Sequence, residues 1–268
     1  MPLRYDLLPM MDYIKAKRLF WDPENIDLSE DVRQWPELSE EVQLGTLRLI
    51  AGFYRGEIAV TEDLSPLLFA IRKEGGHLED EIFLCTQLFE EAKHTEFFDR
   101  WLNTVVPGID LNEVAPVGPH YQFVFYEELP RALHQLYTDQ SRRAQLEAVA
   151  TYHLMVEGVA AEAGYATAYL SLKERGLLPG LVKGFELIQR DEARHIAFGH
   201  YLAGRIIRDE PDLLPVAKAQ MRKLFPHILG LFLFSQLDVI KHCINMYETR
   251  LRKVEENLSG AVTPEAAG

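Results

Sequence analysis

Arg190-Asp191-Glu192-Ala193-Arg194-His195 places a glutamate and a histidine three positions apart. On a helix, residues at that spacing are neighbours on one face. A carboxylate and an imidazole pointing the same way make half of a metal site, and one helix holds both in fixed relation. The surrounding run is helical in pattern. Val182, Phe185, Leu187, Ile188, Ala193, Ile196, Ala197, Leu202 and Ile206 recur near helical spacing. Gly184, Gly199 and Gly204 lower the local propensity without interrupting the run.

A single E-x-x-H arises often by chance on a helix surface. Glu74-Gly75-Gly76-His77 fits the same template, but its two glycines favour a loop that would not hold the pair on one face. Glu91-Ala92-Lys93-His94 is the informative second copy, because it lies inside another long run of helical period.

Working outward, Ser39 is an N-cap candidate followed by Glu40 and Glu41. A first long helix is predicted from there to about Lys73, kinked or divided at Pro66. A second runs from about His77 to Val105 and stops at Pro107-Gly108. A shorter helix over Phe123 to Tyr137 is broken by Pro130. Ser141 opens a third long helix reaching Glu174, and the fourth runs from Leu181 to Arg208. A last helical region extends from Pro211 to about Asn257, kinked near Pro226. Met11 to Phe20 is predicted as a short helix in an N-terminal arm, residues 1–38, packed on the body through Phe20, Trp21 and Trp35. Residues 258–268 are small and polar and should fray.

No alternating strand pattern with hairpin turns is present. The fold class is therefore all-α: a four-helix bundle core with additional helices. At 268 residues, 47% hydrophobic and without a compositional shift, the chain reads as a single domain, 1–268.

The net charge of −13 argues against nucleic acid as a partner, since phosphate binding needs clustered Lys and Arg. It equally disfavours anionic membrane surfaces. The richest apolar run, Ile228 to Ile240, is too short to span a bilayer and carries Asp238. Met1 to Asp12 lacks the basic head and apolar run of a signal peptide. Cys85 and Cys243 are far apart in helical runs, so the expectation is reduced thiols in a cytoplasmic protein.

Two further acids stand out. Glu57 is flanked by Gly56, Ile58, Ala59 and Val60. Glu157 lies among Met155, Val156, Gly158, Val159 and Ala160. A carboxylate in such company is buried and paired, or it is a ligand. Glu62 and Glu162 are the nearby alternatives, each closer to other polar residues. The first and third helices thus give one inward Glu each, and the second and fourth give E-x-x-H. Glu57, Glu91, His94, Glu157, Glu192 and His195 together form a dimetal carboxylate arrangement. Four clustered carboxylates would repel, and two divalent cations cancel that charge. Carboxylate and imidazole without thiolate suit Fe and Mn. The plain alternative is a metal-free bundle in which these glutamates pair with Arg55, Lys93 or Arg194 at the surface. His153, His200 and His242 have no partner by spacing and are read as supporting or packing residues.

At these residues the chain resembles the ferritin-like superfamily, and more closely the small subunit of class I ribonucleotide reductase, over about Ser39 to Ile207. The resemblance gives the six residues the six ligand places. Where many reductase subunits store a radical on a Tyr four positions after the first E-x-x-H, this chain has Phe98. The segment after Asn257 is unlike the tail that docks such subunits on their catalytic partner. The chain is most similar to the reductase-small-subunit-like ligand-binding oxidases, whose signatures are a Val one turn after the first-helix Glu and a Tyr ahead of the third-helix Glu. Val60 and Tyr152 stand in those places.

That resemblance implies a site holding one Mn and one Fe, with di-iron as the variant. It implies dioxygen activation, an ether cross-link between Val60 and Tyr152, a long-chain fatty acid bound beside the metals, and a homodimer. A reductase small subunit and an iron-binding ferroxidase are the alternatives within the same fold. Tyr152 precedes Glu157 by five residues, about 140° around an ideal α-helix. Either the third helix has a π-type irregularity or Tyr152 reaches in from the flank. The small residues from Gly158 to Gly164 allow close packing or leave space. Under the resemblance, Gly158 and Ala161 are candidate ligand-binding residues.

Overall fold

The computed structural model describes residues 2–233 and 235–256, and no strand occurs among them. The expected fraying of 258–268 concerns residues outside this range. None of the described helices is long and apolar enough to cross a membrane.

The arm opens with α1, Leu8–Arg18. Trp21 buries its ring, and Trp35 sets its edge against Trp101 at a centroid distance of 5.5 Å. Phe20, expected as a third anchor, is 58% exposed; it stacks on Phe89 at 6.1 Å and lies under Lys93 Nζ at 5.7 Å. A short helix, Ser29–Gln34, brings Asp31 inward. The fully buried Asp31 side chain accepts from the backbone N–H groups of Gly180 and Leu181, both at 2.8 Å, and from Trp101 Nε1 at 2.7 Å. It thereby caps the start of a helix 149 residues away in sequence.

The first core rod is α2, Glu40–Asp63, capped by Ser39 through Val42 N–H. Pro66 falls in the first turn of α3, Ser65–Glu74, where a missing N–H costs nothing. The expected division at Pro66 is thus a helix start. Gly75 and Gly76, both at φ 78°, end α3 in the left-handed region that glycine tolerates. The second rod is α4, Leu78–Val105.

The third rod, α5, is continuous but of mixed winding. Arg142–Val149 is α-helical, Ala150–Ala161 is π-helical and Glu162–Tyr165 is α-helical again. Ser141 caps it through Ala144 N–H. It ends earlier than the predicted Glu174, because Ala166 and Thr167 leave helical geometry before the separate helix Ala168–Glu174. The fourth rod is α6, Pro179–Asp209. The predicted terminal helix is two, α7, Leu214–Leu231, and α8, Leu237–Glu256. The division falls at Phe232 to Gln236, while α7 runs through Pro226. Pro226 and Arg222, whose carbonyl loses its helical partner, are both exposed, so water can take that bond.

Two apolar clusters fill the bundle. One gathers Ile71, Phe83, Leu154, Phe198 and Leu202. The other gathers Trp21, Phe97, Phe98, Trp101 and Phe185. The charged centre described next is walled by both: Phe83 meets His195 edge-on at 6.4 Å, and Trp21 stacks on His94 at 6.2 Å.

Candidate metal centre

The four rods bring the six predicted side chains together. Glu57 comes from α2, Glu91 and His94 from α4, Glu157 from α5, and Glu192 and His195 from α6. All are buried, the two histidines completely. They form two overlapping sets, Glu57–Glu91–His94–Glu192 and Glu91–Glu157–Glu192–His195. Within each set one donor atom per residue lies within 4.8 Å of all the others. Glu91 and Glu192 belong to both sets, so each could bridge two cations with its two oxygens.

The imidazoles face inward through Nδ1. His94 Nδ1 is 3.5 Å from Glu57 Oε2, 3.7 Å from Glu91 Oε2 and 3.3 Å from Glu192 Oε1. His195 Nδ1 is 2.9 Å from Glu91 Oε1, 3.5 Å from Glu157 Oε1 and 3.7 Å from Glu192 Oε2. Both Nδ1 atoms, Glu157 Oε2 and Glu192 Oε2 are buried without a hydrogen-bond partner. Buried polar atoms are nearly always satisfied. Four orphans on the residues of the two donor sets, all oxygen or imidazole nitrogen, fit a pair of divalent cations of the Fe or Mn kind.

A second layer orients the imidazoles. His195 Nε2 lies 2.9 Å from Glu90 Oε2, and His94 Nε2 lies 3.4 Å from Asp191 Oδ2. A carboxylate only accepts, so Nε2 carries the proton and Nδ1 is the ligating nitrogen. Asp191 Oδ2 also accepts from Trp21 Nε1 at 2.7 Å and Lys93 Nζ at 2.8 Å. Arg194 Nη2 donates to Asp191 Oδ1 at 2.7 Å and to Glu90 Oε1. Lys93 and Arg194, expected at the surface in a metal-free bundle, are 4% and 5% exposed. Sequence reading missed this layer. Its signal was an acid directly before each E-x-x-H: Glu90 before Glu91, and Asp191 before Glu192.

Proton equilibria in the cluster follow from burial opposed by charge. Burial lifts the Glu57 carboxyl to about 8, against the pull of His94. It also lifts Glu157 well above the carboxylate range, helped by Glu192. Burial disfavours charge on Glu91 too, but His195 and His94 outweigh it and hold that carboxyl well below its usual range. His94 and His195 are pushed well above the ordinary imidazole value, because the surrounding carboxylates overcome the cost of burial.

Tyr152 stands next to this cluster. Its hydroxyl donates to Glu91 Oε1 at 2.7 Å and accepts from Gln87 Nε2 at 3.1 Å. Gln87 Nε2 also donates to Glu157 Oε1 at 3.1 Å, and Gln87 Oε1 faces His153 Nε2 at 3.3 Å. Gln87 was not singled out from sequence, and only its position one turn before Glu91 hinted at it. The five-residue spacing of Tyr152 and Glu157 is resolved by the π-helix from Ala150 to Ala161. Its bonds close between residues five apart, so side chains at that spacing lie over one another.

A cavity of about 870 Å³ opens beside the centre. Glu57, Glu91, Glu157 and Glu192 are among its polar lining residues, with Arg48 and Arg55. Val60, Phe53, Val156, Ala160 and Ala161 line its apolar part. Gly158 is not on this wall. The Cα side of Gly158 meets Arg250, whose Nε donates to Gly158 O at 3.1 Å, so it faces α8. Glu62 is exposed and Glu162 is half-buried, and neither enters a donor set.

The ribonucleotide reductase small chain family matches residues 2–249. A solved glycine-to-phenylalanine variant of an R2-like ligand-binding oxidase, with an anaerobically reconstituted Mn/Fe cofactor, is 36% identical. The match covers 94% of this chain and 96% of that one, with a TM-score of 0.88. A glycine-to-leucine variant, also with anaerobically reconstituted Mn/Fe, is 35% identical over 94% and 95%, with a TM-score of 0.89. A tyrosine-to-phenylalanine variant with the same cofactor treatment is 35% identical over 94% of each chain, with a TM-score of 0.87. Other variants of that oxidase alter the glutamate following the glycine and a valine three positions beyond that glutamate. Matched along nearly its whole length, this chain belongs to the ribonucleotide reductase small chain family, alongside the R2-like ligand-binding oxidases.

Proposed function

We propose that the protein is a dioxygen-activating oxidase with one Mn and one Fe, held by Glu57, Glu91, His94, Glu157, Glu192 and His195. The observation that carries the reading is the pair of donor sets sharing Glu91 and Glu192 beside a largely apolar cavity. A storage site has no need of such a cavity. A long-chain fatty acid fits it: the chain lies along Val156, Ala160 and Ala161, and its carboxylate points to the metals. When bound, the metal pair supplies the redox capacity that reduces dioxygen.

The chain's own residues supply the rest. Val60 and Tyr152 are joined through an ether bond from Val60 Cβ to Tyr152 Oη. Forming it removes one hydrogen from each, two electrons and two protons in all. Taking dioxygen to two waters would need two more electrons, which a reduced metal pair would supply when bound, and two more protons from solvent. Gly56, Glu57 and Val60 repeat the glycine–glutamate–valine spacing altered in the related oxidase. The Tyr152 hydroxyl already donates to Glu91 Oε1, which gives its proton an acceptor. Val60 and Tyr152 are buried, so water does not compete for the oxidised carbon. A homodimer in the cytoplasm completes the proposal.

Peptide mass spectrometry before and after loading with Mn(II) and Fe(II) in air tests it. The expected result is a loss of two hydrogens, with the Val60 and Tyr152 peptides joined. Val60→Ala should retain both metals and lose that link. Unlinked peptides from fully loaded, aerated wild-type protein would refute the cross-linking oxidase.

A further inference from the structure

Arg194 directly precedes His195, and its guanidinium is buried and meets both halves of the centre. A single nitrogen, Nη2, donates to Glu90 Oε1 and to Asp191 Oδ1. The other oxygen of each carboxylate faces an imidazole, Glu90 Oε2 toward His195 and Asp191 Oδ2 toward His94. We propose that Arg194 is a positioning residue that couples the two metal positions, orienting both histidine ligands through one nitrogen. The inference rests on the metal-binding reading above.

The chemistry follows from how carboxylates steer a ligating imidazole. A hydrogen bond from Nε2 fixes the ring's tautomer and orientation and raises its donor strength at Nδ1. Each carboxylate must itself be held, and here the holders differ. Asp191 has three: Trp21, Lys93 and Arg194. Among the described residues, Glu90 has Arg194 alone as a hydrogen-bond partner of its carboxylate besides His195. Glu90 and Asp191 thus lie against two buried cations, Arg194 and Lys93. Removing Arg194 leaves Glu90 without its cation and Asp191 with two of its donors. Both imidazoles lose orientation, His195 more than His94. Of the two carboxylates, removing Lys93 touches Asp191 and not Glu90.

Metal affinity separates this from simple support of the fold. Losses of such outer partners typically cost 10–100-fold in metal affinity. Anaerobic Mn(II) titration against a chelating indicator measures the two binding steps. Anomalous diffraction at the Mn edge from crystals at limiting Mn(II) reads the occupancy of each position. Arg194→Gln should weaken both positions, by about 10–100-fold at the one with His195. Lys93→Met should weaken only the position with His94. Arg194→Lys, with one nitrogen bearing three donors, should restore most of the affinity. If Arg194→Gln lowers the melting temperature while both affinities match wild type, the coupling role is overturned and the metal site stands. If wild-type protein takes up no second metal, the site reading itself fails. Selective loss at only one position in Arg194→Gln would also overturn the coupling.

Discussion

Loading the centre with metal should release protons, and the structure sets how many. In the metal-free protein His94 and His195 are held well above the ordinary imidazole value, and so carry protons at neutral pH. Glu57, lifted to about 8, and Glu157, lifted well above its usual range, carry protons as well. Every one of these groups must be deprotonated to ligate. Two dications therefore replace about four protons, charge for charge. The sign is fixed by linkage: groups with raised values hold protons until the pH passes them, so acid competes with metal. At about two protons per metal, affinity should rise on the order of 100-fold per pH unit. The rise should run through the neutral range and lose the Glu57 share above about pH 8. Anaerobic calorimetric titration with Mn(II) from pH 6 to 8, in two buffers of different ionisation enthalpy, counts the protons directly. Fewer than about one proton per metal, or an affinity flat across that range, would refute the protonation scheme and with it the close packing of the six groups.

Two further expectations concern the scaffold. In Gly184→Ala the new Cβ would lie 1.9 Å from Phe97 Cζ and 2.3 Å from Cε1 and Cε2. Phe97 is fully walled in beside Trp21 and Phe98. Overpacking of about 2–3 kcal/mol should outweigh the helix-propensity gain of about 1 kcal/mol. The melting temperature should fall, and a value at or above that of the parent would contradict the packing described. Asp31→Ala strands the N–H groups of Gly180 and Leu181 and the indole of Trp101 in the interior. The loss should be about 3 kcal/mol in denaturant unfolding, and a loss below about 1 kcal/mol would show that water replaces the cap.

Much of the centre was legible from sequence because its parts are local. Glu91 and His94, or Glu192 and His195, are placed on one face by helix geometry alone. Helix starts at Ser39 and Ser141 were equally local, since a cap is a contact across three residues. Glu57 and Glu157 were readable from their apolar neighbours, which make an unpaired surface role costly. Glu74 and His77, which fit the same template, enter neither donor set among the described residues. Glu74 ends α3 and His77 precedes α4 across the bend at Gly75 and Gly76, and both contact Arg205.

What sequence by itself determined was therefore the bundle, the four rods and the six inward groups, all consequences of spacing along one helix. Tertiary structure alone decided the rest. Glu90 finds His195 across 105 residues of chain, and Trp21 finds Asp191 across 170. Such contacts depend on how rods are rotated against one another, which no local period encodes. The same holds for the π-winding that aligns Tyr152 with Glu157, for Gly158 turning to Arg250, and for the cavity beside Val60. The physical reason is that a helix fixes the angles among its own side chains, while packing alone fixes which faces meet.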